Sequence, residues 1–112
     1  MNIKLKLSKS VSLKDIHEIL NYLHTNKKMV VELYNMLYDT DDVVAFHAAW
    51  VMSHFPEEEN KFLIKKQDEL INELYICNHQ GKKRLILTIL CKQPLKYPPP
   101  LDLLDFCMEA IL

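Results

Sequence analysis

Asp42-Val43-Val44-Ala45-Phe46-His47-Ala48-Ala49-Trp50-Val51-Met52-Ser53-His54-Phe55 decides the fold. Val44, Ala48, Val51, Met52 and Phe55 form one helical stripe, and Phe46, Ala49 and Trp50 carry apolar character round the opposite side. A surface helix keeps one polar face; a helix apolar on nearly its whole circumference has other helices on both flanks. The stretch therefore predicts a stack of helices with residues 41 to 55 wedged inside it.

The remaining chain breaks into helices around that centre. Val11-Ser12-Leu13-Lys14-Asp15-Ile16 is a helix start, with Ser12 as cap, Asp15 reaching back to a free amide and Val11 packing on Ile16. That helix runs to Thr25, and Asn26 is expected to cap a second through Tyr38 with an inner stripe of Met29, Val30, Leu33 and Leu37. Thr40, Asp41 and Asp42 open the third, their carboxylates at the positive end of the helix dipole. Pro56 before Glu57, Glu58 and Glu59 starts a fourth, continuing with a kink to Cys77 and burying Gln67, Leu70, Ile71, Leu74 and Cys77. A fifth spans 81 to 93 around the apolar Leu85 to Leu90. Pro94 ends it, Pro98 to Pro100 form a stiff linker, and a sixth takes 101 to 112.

Composition agrees with an all-α class. Apolar residues are 49% of 112, enough for one domain with a real core, and the single glycine, Gly81, excludes glycine-rich phosphate loops and argues against tight hairpins. A net charge of −1 supplies no general attraction to nucleic acid or an anionic membrane. Cys77, Cys91 and Cys107 are odd in number and widely spaced in helical contexts, which reads as reduced, buried cysteines of a cytoplasmic protein. Met1 to Leu7 alternates lysine with Ile3, Leu5 and Leu7 and lacks the apolar core of a secretory leader; it reads as part of an N-terminal extension over 1 to 11. No apolar run approaches the roughly 20 residues that span a bilayer.

The helices pair as 12 to 25 with 27 to 38, 41 to 55 with 57 to 77, and 81 to 93 with 101 to 112, one repeat domain over 1 to 112. Leu13, His17, Leu20 and His24 recur thirty residues later as Val43, His47, Trp50 and His54. Such a period falls in the range of helical repeats. On these residues the chain resembles a known family: Asp42-Val43-Val44 with His47 to His54 is similar to the first helix of a HEAT-like or armadillo-type repeat, and Lys82 to Leu90 looks like the same helix one unit later. Short bacterial HEAT-like proteins of unassigned function look particularly similar around Ala48-Ala49-Trp50. The resemblance implies an α-solenoid of about three antiparallel helix pairs, a superhelix with an outer and an inner face. His47 stands where such repeats commonly place arginine.

Candidate sites follow. His17 with His24, and His47 with His54, lie seven residues apart, about 10.5 Å of helix rise, so neither pair chelates one metal, and no cofactor or metal is expected. Cys77 with His79 has the makings of a thiol and base but no third group to orient them, so a structural cysteine is favoured and no catalytic role is assigned. Trp50 reads as core, with an exposed edge available as an anchor. Opposite the apolar stripes of the second helices lie Glu32, Asn35 and Asp39, then Glu69 and Asn72, then Asp102, Asp105 and Glu109. In a HEAT stack these strips would adjoin on the inner face, acidic and amide-bearing, suited to a protein or basic peptide and repulsive to nucleic acid. The competing reading is a solvated helix side.

A second function class rests on Lys82, Lys83 and Arg84, which oppose the helix dipole and, with Lys92, would contact phosphates as in HEAT-like DNA alkylation-repair proteins. One arginine in the chain and no catalytic carboxylate beside an aromatic pocket weigh against it, and the favoured reading is a solvated basic turn paired with neighbouring glutamates. The apolar end Met108 to Leu112 calls for a cover: another subunit, making a homo-oligomer, or Met1 to Leu7, the third reading being a chain shorter than its relatives.

Overall fold

A computed structural model describes residues 2–93, in which seven helices and no strand are present. They are α1 (Ile3–Leu7), α2 (Leu13–Thr25), α3 (Lys28–Met36), α4 (Asp42–Ser53), α5 (Glu57–Lys65), α6 (Gln67–Ile76) and α7 (Gln80–Cys91). The expected helix over 101 to 112, the Pro98 to Pro100 linker, the stop at Pro94 and the cover of the apolar end fall outside the described residues.

Helix α4 is central. It packs on α1, α2 and α3 on one side and on α7 on the other, and α7 in turn packs on α6. Val44, Ala45, Ala48, Ala49, Val51, Met52 and Ser53 are all buried, so the helix has almost no solvent side. Its three alanines let neighbouring backbones come close, while Val51 and Met52 fill the volume between them, each worth about 1.5–3 kcal/mol on burial. Ile86 on α7 is fully buried in the same core. Trp50 is half-buried and packs against the core, with its ring 6.3 Å from that of His47.

The helix boundaries have local causes. Ser12 and Asp15 form a reciprocal capping box at the start of α2, Ser12 N–H donating to Asp15 Oδ2 at 2.9 Å. Asp41 caps α4 by accepting from the Val43 N–H at 3.0 Å. Asn26 departs from expectation. Its side-chain amide donates to the Tyr22 carbonyl at 2.9 Å, so it closes α2, and α3 begins at Lys28, with Lys27 at the N-cap position and no side-chain cap. The expected kinked fourth helix is two helices, α5 and α6, broken at Lys66 (φ −99°, ψ 13°). Buried Leu63, Gln67, Leu70 and Leu74 keep one side across the break.

The opening segment is more than an extension. Ile3 and Leu7, one helical turn apart, are buried in the core, and α1 packs on α4. His47 Nδ1 lies 2.7 Å from the Leu7 carbonyl, a hydrogen bond in which the imidazole donates and which ties the two helices. The residue standing where such repeats commonly place arginine thus has its own structural partner.

The cysteines differ from expectation. Cys77 is a free, half-buried thiol, whereas Cys91 is exposed and disulfide-bonded; Cys107 lies outside the described residues. Among the described residues no helix is long and apolar enough to cross a membrane.

Candidate functional site

Tyr34 on α3, Tyr38 just beyond its end and Phe62 on α5 form an aromatic floor beside α6. Tyr34 is buried and meets Tyr38 and Phe62 edge-on, with ring centroids 5.3 and 5.6 Å apart. The Tyr34 and Tyr38 hydroxyls are 2.6 Å apart. Burial, the Tyr38 hydroxyl and the nearby Glu69 push the Tyr34 phenol up; burial, with the charges of Glu69 and Glu73, raises that of Tyr38, partly offset by Tyr34. Both rings are neutral hydrogen-bonding groups at ordinary pH. Lys66 Nζ sits 5.8 Å from the Tyr34 and Phe62 centroids and pairs with Glu69 at 3.4 Å.

On this floor Tyr38, Asp68, Glu69, Asn72 and Glu73 line an open depression. Tyr38 is 40% exposed, so an aromatic face stands among three carboxylates and an amide. A second depression, sharing Glu73, is lined by Asp42, Ile76, Cys77, Asn78, His79 and Lys82. Of the residues expected to form the acidic strip, Glu69 and Asn72 share the first depression, and Glu32 and Asn35 are exposed on α3. Asp39 is turned to other work. It accepts from the Asp41 N–H at 2.8 Å and pairs with Lys4 at 3.1 Å, and these contacts, the first foremost, hold its carboxyl below the usual range. Asp102, Asp105 and Glu109 lie outside the described residues.

Three members of the depression escaped the sequence reading. Asp68 and Glu73 were legible in principle, since Asp68 with Asn72 and Glu69 with Glu73 each stand four residues apart on α6. Tyr38 carried no such mark, because only the approach of α6 gives a helix-end tyrosine its neighbours.

The basic turn is internal at one residue of three. Lys82 is 7% exposed; its ammonium pairs with Glu73 at 3.0 Å and lies 5.8 Å from the Tyr38 centroid. Lys92 donates to the Ser53 carbonyl at 2.8 Å, satisfying the end of α4. Two of the four cations read as phosphate contacts thus serve helix packing, which answers why cations stand at a helix start. Arg84 is exposed, and Lys83 is half-buried.

The Cys77 thiol and the His79 Nδ1 each have another partner. His79 Nδ1 accepts from the Lys82 N–H at 3.1 Å as the cap of α7, while Cys77 Sγ donates to the His79 carbonyl at 3.6 Å.

The histidine spacing argument holds within each helix but misses what other helices bring. His24 faces Glu58 and Glu59, at 4.0 and 3.4 Å from its Nδ1, and Lys27 joins them at 3.3 and 2.8 Å from the two carboxylates. Burial pushes the Glu59 carboxyl up, yet the hydrogen bonds from Lys27, from its own backbone and from His24 outweigh that and hold it below 4.5. His54 is lowered from 6.5 by burial, by Lys92 and by His17 across the helix interface.

The family model described as the HEAT repeat domain matches residues 3–112. No curated protein and no solved structure matches the chain.

Proposed function

Because the chain belongs to the HEAT repeat domain family, we propose that it is a non-catalytic scaffold, one repeat domain over 1 to 112, that holds a basic segment of a protein partner on the face made by α3 and α6. The observation that carries this is the half-exposed Tyr38 ring set among Asp68, Glu69 and Asn72, with Glu73 of the same depression already paired with Lys82. A lysine or arginine of the partner gains a ring face for its cation and carboxylates to pair with, while the amide of Asn72 is placed to bond an extended backbone. Glu32 and Asn35, exposed on α3, belong to the same proposed face, and so, by sequence spacing alone, do Asp102, Asp105 and Glu109 beyond the described residues. A cytoplasmic place belongs to this reading; the free thiol of Cys77 agrees with it and the disulfide-bonded Cys91 weighs against it.

Binding of a fluorescently labelled lysine-rich peptide, followed by anisotropy over a range of salt, tests it. The pair D68K/E69K is expected to weaken binding by at least about tenfold, and Arg84→Glu to leave it unchanged or tighten it. Equal affinity of wild type and D68K/E69K removes the proposal. Nucleic-acid binding through Lys82, Lys83, Arg84 and Lys92 is the weaker reading, because Lys82 and Lys92 are already engaged by Glu73 and Ser53. It requires duplex DNA affinity that falls steeply with salt and is lost on Arg84→Glu.

A further inference from the structure

Outside the Tyr38 depression, one side-chain cluster has the donors and spacing of a metal centre. His24 lies in the last turn of α2, and Glu58 and Glu59 lie in the first turn of α5, so two successive helix pairs contribute to it. One donor atom from each residue lies within 4.8 Å of the other two, and among the described residues no other group of three such side chains does this. Spacings of 3.4 and 4.0 Å from the imidazole nitrogen to the two carboxylates need only a small contraction to suit donors about 2.0–2.2 Å from one ion.

A second observation points the same way. The Glu59 side chain is 2% exposed, and its Oε2 is buried with no hydrogen-bond partner while Oε1 serves the cluster. A buried carboxylate oxygen without a partner is costly. An ion taken by both oxygens of Glu59 would remove that cost, which a one-point ammonium does not. Charge agrees: two carboxylates carry −2, and the single charge of Lys27 leaves half of it uncompensated.

We propose that His24, Glu58 and Glu59 bind one divalent transition-metal ion of the zinc class, displacing the Lys27 ammonium and clamping the end of α2 to the start of α5. One imidazole and two carboxylates suit zinc, cobalt and nickel better than calcium or magnesium, which want more oxygen donors. Three protein ligands leave a coordination position for water.

Titration of the full chain with Co2+, followed by visible absorption and reversed with Zn2+, tests this. One equivalent is expected to give the absorption of a four- or five-coordinate site, with the thermal midpoint rising. His24→Ala and Glu58→Gln should each weaken binding at least about tenfold, and both residues are exposed, so folding is expected to survive and is checked by circular dichroism. Lys27→Met should tighten binding by removing a competitor, and His54→Ala should leave it unchanged. Absence of the absorption, binding unaffected by Glu58→Gln, or binding weakened by Lys27→Met overturns the proposal.

Discussion

Gly81 is in the helix for space rather than for backbone freedom. No glycine has positive φ among the described residues, but a Cβ at Gly81 would stand 2.6 Å from Phe46 Cε2 and 3.1 Å from His79 Cε1. Gly81→Ala gains about 1 kcal/mol of helix propensity and must push the Phe46 ring off its contact with His79, a repacking that costs about 1–3 kcal/mol. A net loss of about 1 kcal/mol in urea unfolding is expected. In a Phe46→Ala background the same change should become stabilising, and a loss of equal size there would contradict the steric account. His54 gives a pH test. Its native value lies below 6.5, so as pH falls through 6.5 toward that value the unfolded chain takes up a proton that the native chain refuses. Stability should therefore decline over this window, and His54→Gln should flatten the slope. Glu59 acts in a separate window: its lowered value adds stability that is lost only as pH falls below 4.5.

Between elements, the Lys82–Glu73 ion pair that joins α6 to α7 is the contact to test. Lys82 and Glu73 are nearly buried, at 9% and 13% side-chain exposure, so Lys82→Met strands a carboxylate and should cost about 3 kcal/mol in chemical denaturation. Replacing both, as E73L/K82M, should recover most of that loss, since a buried pair gives little net stability over apolar residues of similar volume. No recovery would mean that Glu73 has work apart from Lys82. The helices themselves were legible because each is written in local signals: Ser12 with Asp15, Asp41 before Val43, Pro56 before three glutamates, and the all-round apolarity of α4. Asn26 and the fate of Met1 to Leu7 were not. Asn26 can bond forward or back, and the Tyr22 carbonyl wins only once α2 ends there. Ile3 and Leu7 look like a short amphipathic fragment until α4 supplies a surface and His47 reaches the Leu7 carbonyl. Pairings across helices, such as Lys82 with Glu73 or His24 with Glu58 and Glu59, depend on how helices cross, which periodicity does not encode.

At the scale of the whole molecule, α2, α4 and α7 follow one another by direct packing, and α3 and α6 back them, which is how a repeat stack puts its second helices side by side. That arrangement gives residues from separate repeats a common surface, Tyr38 from one and Asp68, Glu69, Asn72 and Glu73 from the next. The acidic character of this surface was legible from α6 alone; its aromatic centre and the loss of Asp39 to Lys4 were not, because both depend on neighbours far away in sequence. Amide chemical shifts of the isotope-labelled chain, followed as a lysine-rich peptide is added, test the central claim most directly. The account predicts that the largest changes cluster at Tyr38 and along Asp68 to Glu73, with Arg84 and Thr88 unmoved. Changes centred on Arg84 and Thr88, or none at saturating peptide, would contradict it.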